Sequence, residues 1–169
     1  FGVSTPTTEL TKQVIDVTRP NVSFDQMTID IYNSRVYLAG KHTWEPITIN
    51  LREDVNNNVQ KLTGEQLQKQ FDFYEQSSAA SGQDYKFTTR MEILDGGNGV
   101  NTPTVLETFE LYGCYLESAN YNTLAYATSE PVTVTLAVRY DNAVQSPQGT
   151  GIGTAVGRTV NTLVTGGGA

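Results

Sequence analysis

The sequence predicts an α+β fold that is mainly β: an antiparallel β-sandwich or barrel with one flanking α-helix. Apolar and polar residues alternate along several short segments, which is the period-two pattern of half-buried strands. Only one stretch, residues 54–77, repeats its apolar residues at helical spacing. Strands before and after a single helix favour an antiparallel arrangement over a series of β-α-β units.

The predicted strands follow one another along the chain. Met27, Ile29 and Ile31 alternate with polar residues and predict the first strand. Further strands are predicted over 87–94, 105–116 and 132–140, and the last of these is the most regular. Residues 35–51 predict a hairpin of two short strands around a turn at Gly40, because glycine adopts the backbone angles that tight turns require.

The helix is predicted over about 54–77. Its apolar residues recur at intervals of three and four, in the order Val55, Val59, Leu62 and then Leu67, Phe71, Tyr74. Asp54 is a candidate N-cap residue. Thr63 and Gln66 have the spacing of a capping box, so a break near Gly64 with a second helix after it is an alternative.

Composition divides the chain into a central domain and two different ends. Residues 1–23 contain two prolines and many Ser and Thr, which predicts an extended N-terminal arm. Residues 24–141 form the β domain, and 142–169 form a Gly/Thr-rich C-terminal extension. Two interpretations of the extension stay open, disorder and ordering by docking on a neighbouring subunit. The second rests on the helix-like spacing of Ile152, Val156, Val160 and Leu163.

Charge and residue types argue against several functions. Eighteen acidic and eleven basic residues give a net charge of −7 without a block of like charge, which is unfavourable for ordinary nucleic-acid binding. Cys114 is the only cysteine and is predicted to be a core residue, and His42 is the only histidine. We therefore predict no catalytic, metal or cofactor site, no enzyme activity and no membrane-spanning helix.

Several strings resemble the tail tube proteins of contractile-tailed bacteriophages. The string Asn33-Ser-Arg-Val-Tyr-Leu-Ala-Gly-Lys-His-Thr-Trp-Glu-Pro-Ile-Thr-Ile49 is similar to the long hairpin of that family. The helix at 54–77 and the strands at 107–116 and 129–141 come in the same order as the family's later elements. The resemblance covers about residues 24–141, and the C-terminal extension has no counterpart in it.

The resemblance implies a structural subunit whose strands join a ring-wide barrel in a hexamer. Stacked rings would form a hollow tube inside a contractile sheath and conduct double-stranded DNA into the host without binding it specifically. It also implies an inter-ring contact at the hairpin, with the candidate residues Tyr37, Gly40, His42, Trp44 and Pro46. If Trp44 is an interface anchor, Trp44→Ala should fold but block stacking, and if it is a core residue the fold itself should suffer.

The acids Asp30, Glu92 and Glu110 are candidates for the lumen wall, where negative charge would repel the phosphate backbone. Further implied partners are the tail sheath, baseplate and tape-measure proteins, in a virion assembled in the bacterial cytoplasm. A type VI secretion or other contractile injection tube protein, a baseplate tube initiator and a monomeric β-sandwich binding module remain alternatives.

Overall fold

A curled antiparallel sheet with a helix packed on its apolar face forms the body of the protein. The structure is a computed structural model and describes residues 8–97, 103–124, 130–147 and 152. In chain order the elements are α1 (Thr8–Gln13), β1 (Val14–Val17), β2 (Val22–Ile31), β3 (Ser34–Trp44), β4 (Ile47–Arg52), α2 (Asn58–Gln70), β5 (Phe71–Asp72), β6 (Ser77–Ser78), α3 (Gly82–Tyr85), β7 (Phe87–Leu94), β8 (Val105–Asn120), β9 (Thr133–Arg139) and β10 (Asn142–Pro147). The mainly β, antiparallel prediction is confirmed.

The main sheet has the strand order β1-β4-β9-β8-β10, and β7 also pairs with β8. Strand β8 is long enough to pair with three other strands. Its first part pairs with both β7 and β10, and its last part pairs with β9. The hairpin β2–β3 forms a separate two-stranded sheet. The molecule is therefore a curled sheet that carries a long two-stranded arm.

The core is built from alternate residues of the central strands, as the period-two pattern predicts. The side chains that are essentially buried include Ile47, Leu51, Leu111, Leu116, Val134, Leu136 and Val138. Val59 of α2 belongs to the same cluster, which places the helix against the apolar face of the sheet. Cys114 is buried here as predicted, and burial raises the pKa of its thiol.

The hairpin differs from its prediction. Gly40 is not a turn residue, because β3 runs without interruption from Ser34 to Trp44 and the chain reverses at Tyr32 and Asn33. The register between β2 and β3 shifts at Gly40 and Lys41, which together lie opposite Asp25. A Cβ atom on Gly40 would lie 2.9 Å from the carbonyl oxygen of Asp25. Glycine is needed here for a β-bulge, where two backbones approach closely.

Helix α2 is shorter than the predicted 54–77. Asp54 does not cap it, because its carboxylate accepts from the N–H of Val55, while the N-cap residue is Asn57 in a left-handed conformation. Thr63 and Gln66 are buried in the middle of the helix and form no capping box, so the predicted break near Gly64 is absent. The helix ends at Gln70, so the aromatic residues after it do not belong to its apolar stripe.

Both ends of the chain contribute more regular structure than composition predicts. Within the supposed N-terminal arm, α1 is helical and β1 pairs with β4 as a strand of the main sheet. Residues 142–147 of the supposed extension form β10, which pairs with β8. Apart from Ile152, the residues with helix-like spacing near the C-terminus lie outside the described residues.

Two glycine substitutions are predicted to have opposite effects on stability. Gly113 has a φ of +67°, and a Cβ there would overlap the Asp141 carboxylate that pairs with Lys86. Gly113→Ala is therefore expected to lower the free energy of unfolding by about 2 kcal/mol or more. Gly64 is in the middle of α2, and a Cβ added there would meet no neighbouring group within 4 Å, so Gly64→Ala should raise stability by about 0.5–1 kcal/mol. Urea unfolding of both variants tests the pair, and equal shifts would contradict it.

Candidate assembly surfaces

The β2–β3 arm has one aliphatic face. Cross-strand neighbours share a face, and the pairs Met27–Leu38 and Ile29–Val36 are directly opposite each other. With Ile31 they form what we call the aliphatic face of the arm, and each of these side chains is exposed. An isolated two-stranded ribbon gains little stability from such a face unless something covers it. The alternation of Met27, Ile29 and Ile31 predicted a strand, and it also places these three side chains on one face of that strand.

The opposite face of the arm carries most of the predicted inter-ring residues. Tyr37 is 60% exposed on β3, and its cross-strand neighbour is Thr28. Closer to the body, His42 lies between Phe24 and Trp44, with ring centroids 6.3 Å from each. Pro46 is exposed in the connection from β3 to β4. The predicted residues thus share the β3 strand and its exit, but only Tyr37 lies far out on the arm.

Trp44 belongs to the core and is not an exposed anchor. Only 8% of its surface is accessible, and its ring packs against Tyr140 with centroids 5.6 Å apart. Burial of Tyr140 raises the pKa of its phenol to about 12, which agrees with a closely packed site. Of the two interpretations of Trp44, the structure therefore favours the core residue. The reason is that β3 enters the body of the protein at its last residue.

The three candidate lumen acids lie in two places, and each has a polar or charged neighbour. Asp30 is near the tip of the arm, where its carboxylate is 3.0 Å from the guanidinium of Arg35. Glu92 on β7 is 2.7 Å from Arg90. Glu110 on β8 lies opposite Arg90 and accepts a hydrogen bond of 2.6 Å from the Tyr112 hydroxyl. Glu92 and Glu110 therefore share one sheet face, and Asp30 does not belong to it.

That sheet face is mainly polar, although Ala137 lies opposite Thr48 and Val144 lies opposite Glu110. It presents the residues that alternate with the core positions, including Thr48, Asn50, Arg52, Arg90, Glu92, Glu110, Glu117, Thr135 and Arg139. A chain of two hydrogen bonds crosses it. Thr135 donates to Asn50 and Asn50 donates to Asp16, each with a donor–acceptor distance of 2.7 Å. Asn122 also donates to Thr133 and Thr135 and holds its loop on this face. A face of this kind is suited to contact with water.

The sheet has three edge strands. Within the described residues, β1 pairs only with β4, and β7 and β10 each pair only with β8. A groove of about 490 Å³ separates β1 from β7, with Val14, Val17, Ile49, Leu51 and Met91 among its lining residues. Residues 88–92, on the edge strand β7, also line the groove. Such edges offer unpaired backbone groups to another chain.

The described part of the chain presents no sign of a metal centre or a membrane span. No group of three or more His, Cys, Asp or Glu side chains there is arranged to hold a metal ion. None of the helices in the described ranges has the length and apolar character needed to cross a membrane. The surfaces that stand out are the arm, the strand edges and the polar sheet face.

Comparison with solved structures identifies the fold. A chain of the sheath-tube complex of the PVC extracellular contractile injection system in its extended state superposes with a TM-score of 0.59 and 11% sequence identity, over 79% of this chain and 80% of that chain. The chain shares its fold with parts of contractile injection systems. A chain of the anti-feeding prophage baseplate matches with a TM-score of 0.58 and 10% identity, over 78% of each chain.

A third similar structure belongs to the tube-terminating cap of the anti-feeding prophage, with a TM-score of 0.59 and 11% identity, over 87% of this chain and 95% of that chain. No model of a protein family and no curated protein sequence matches the chain. The resemblance that the sequence suggested is thus confirmed at the level of the fold.

Proposed function

We propose that the protein is the structural subunit of a tube, in which hexameric rings stack inside a contractile sheath. The observation that carries this proposal is the combination of free edges at β1 and β7 with a polar face across the same sheet. Sister copies that join edge to edge satisfy the unpaired backbone groups and close a wide barrel. A barrel of many strands leaves an aqueous channel, and the polar face is the one that tolerates water.

The arm is the proposed contact between rings. It projects an aliphatic face of five exposed side chains, which a neighbouring ring would cover. Tyr37 adds an exposed aromatic side chain on the other face. The shared fold supports this role, because similar chains belong to a sheath-tube complex, a baseplate and a tube-terminating cap.

The proposed cargo is double-stranded DNA, which would pass through the lumen during ejection from a phage tail. The charges on the polar face suit passage without tight binding. Arg90 lies beside Glu92, and Arg139 lies 3.8 Å from Glu117, so their positive charges are opposed locally. Such a wall lacks the unopposed row of cations that nucleic-acid binding relies on. The proposal includes sheath, baseplate and tape-measure partners, location in the virion and no enzyme activity.

The tube protein of a type VI secretion or other contractile injection system is the second candidate, and it is supported by the similar fold in an extracellular contractile injection system. Capsid and terminase genes beside this gene would support the phage role, and their absence would support the injection device. A baseplate tube initiator would be present in few copies per particle.

Electron microscopy of the purified, concentrated protein tests the proposal. We expect six-fold rings or stacked tubes with a stain-filled central channel. A protein that stays monomeric at millimolar concentration by size-exclusion chromatography would contradict the proposal and favour a monomeric β-sandwich binding module. A central passage filled by side chains would also contradict it.

A further inference from the structure

We infer that residues 71–78, which we call the aromatic turn, bind a cationic segment of the protein layer that encloses the tube. The inference rests on the proposed function, because it assigns a surface on the outside of the tube. The aromatic turn consists of β5, the residues 73–76 and β6, and it follows α2 directly. The aromatic turn belongs neither to α2 nor to the β2–β3 arm, so the roles proposed for those elements do not explain its exposed rings.

The backbone of the aromatic turn is held in place by its own polar groups. One carboxylate oxygen of Asp72 accepts from the N–H of Tyr74 at 2.9 Å, the N–H of Glu75 at 3.2 Å and the side-chain amide of Gln68 at 2.7 Å. These hydrogen bonds lower the pKa of Asp72, led by those from the backbone of Glu75 and Tyr74. These hydrogen bonds fix the backbone of the turn independently of the Tyr74 ring.

The base of the aromatic turn is attached to the main sheet. The side-chain amide of Gln70 donates to the carbonyl oxygen of Leu116 at 2.9 Å and accepts from the N–H of Leu116 at 2.8 Å. Gln70 therefore pairs with β8 as a strand residue would, immediately before the turn begins. Both the base and the tip of the turn are already fixed. Binding of a partner therefore costs little conformational entropy of the turn.

The rings on this fixed frame are turned to solvent. Tyr74 is 96% exposed and Phe73 is 61% exposed, while Phe71 meets Phe73 edge-on with centroids 5.3 Å apart. Aromatic side chains on a rigid loop are typical anchors of protein interfaces, because they bury a large area at low entropic cost. Exposed rings that contribute so little to the core are therefore best explained by a contact with another molecule.

The charge of the aromatic turn indicates the chemistry of its partner. Residues 71–78 contain Asp72 and Glu75 and no lysine or arginine. Carboxylates beside aromatic faces attract Lys and Arg, whose aliphatic stems also cover the rings. The partner is expected to present such side chains from a helix or strand. An anionic lipid surface is the wrong partner, because the carboxylates would be repelled by it.

The position of the aromatic turn indicates that it faces the layer that encloses the tube and not the lumen. Helix α2 packs on the apolar face of the sheet, and the polar face lies on the other side. If the polar face lines the lumen, then α2 and the aromatic turn after it lie on the outside of the tube. One of the similar folds comes from a sheath-tube complex, so a protein layer at this surface is consistent with the architecture in which this fold occurs.

The test compares particles made in producing cells with the wild-type chain and with three variants. The first variant, Phe73→Ser/Tyr74→Ser, removes the exposed rings but keeps Asp72 and its hydrogen bonds. The second, Glu75→Lys, reverses one charge. The control, Val55→Ser, removes an exposed apolar side chain just before α2. Electron microscopy counts the fraction of tubes that lack a sheath.

We expect the double variant to form tubes as often as the wild type, with at least a tenfold rise in the fraction of bare tubes. Glu75→Lys should shift the fraction in the same direction by less, and Val55→Ser should leave it unchanged. Fully sheathed tubes in the double variant would overturn the inference, as would an equal loss of sheath in the control.

Other binding partners of the aromatic turn would give different results in this test. A folded double variant that makes no tubes would show that the turn joins copies of this chain, which also overturns the inference. Wild-type tubes that float with phosphatidylcholine vesicles, when the double variant does not, would identify a lipid surface and overturn it as well. Absence of tubes from the wild type would count against the proposed function, whereas bare tubes specific to the double variant support the inference itself.

Discussion

Replacement of Trp44 by alanine is expected to lower the free energy of unfolding of the subunit by about 3–5 kcal/mol, the usual cost of removing a large aromatic side chain from a core. The indole fills the junction between the arm and the body and packs on Tyr140. Its loss leaves a cavity that the sheet cannot close, because β3 and β4 are connected there by only two residues. Urea unfolding of the unassembled subunit measures the effect.

Tyr37→Ala is the matched control for this change. It removes an aromatic ring from the same strand, but from an exposed position, so its effect on unfolding should stay within about 0.5 kcal/mol of zero. A Trp44→Ala subunit with wild-type stability that still failed to stack would contradict the core assignment. That outcome would restore the interpretation of Trp44 as an inter-ring anchor.

Substitution of a single cross-strand pair on the aliphatic face of the arm is expected to abolish stacking without unfolding the subunit. Ile29→Thr/Val36→Thr keeps the β-branched shape that strands prefer, while it replaces the ethyl group of Ile29 and one methyl group of Val36 with hydroxyl groups. Each buried methylene contributes about 0.8 kcal/mol. Because every copy in a proposed ring of six loses the burial of three carbon atoms, the loss per ring contact should reach about 14 kcal/mol, enough to prevent tube growth at micromolar concentration.

Negative-stain images and sedimentation of the double variant measure this prediction, and its thermal unfolding should match that of the wild-type subunit. Gln26→Ser/Ala39→Ser changes a cross-strand pair on the other face of the arm and should still allow tubes. Tubes of normal length from Ile29→Thr/Val36→Thr would show that the aliphatic face is not the contact between rings. If neither double variant formed tubes, stacking would depend on the strand pairing within the arm and not specifically on its aliphatic face.

Local features of the fold were predictable, since they depend on neighbouring residues. The strands at 87–94 and 133–139 were predicted nearly to their ends, because each alternates apolar and polar residues along a stretch that is half-buried. The burial of Cys114 also followed from its place in such a strand. The helix was predicted at the right place but too long, since the apolar spacing continues through Phe71 and Tyr74 after the hydrogen bonds of Asp72 have started a turn.

The candidate surfaces were less predictable. Gly40 has the residue type of a turn, yet only the backbone of Asp25 on the facing strand shows why a glycine is required. Trp44 and Tyr37 are both aromatic residues of β3, but one enters the core and the other remains in water. The arm's aliphatic face appears only when β2 and β3 are in register, since its residues come from both strands.

The amino-acid order alone determined the class of fold, most strands, the approximate place of the helix and a resemblance to tube proteins. The tertiary structure decided which strands pair, where the free edges lie, which aromatic rings are buried and that residues 71–78 form a fixed exposed turn. The reason is that periodicity is a property of residues next to each other in the chain. Pairing, burial and exposed surface depend on contacts between residues such as Gln70 and Leu116, which the chain separates by 46 positions.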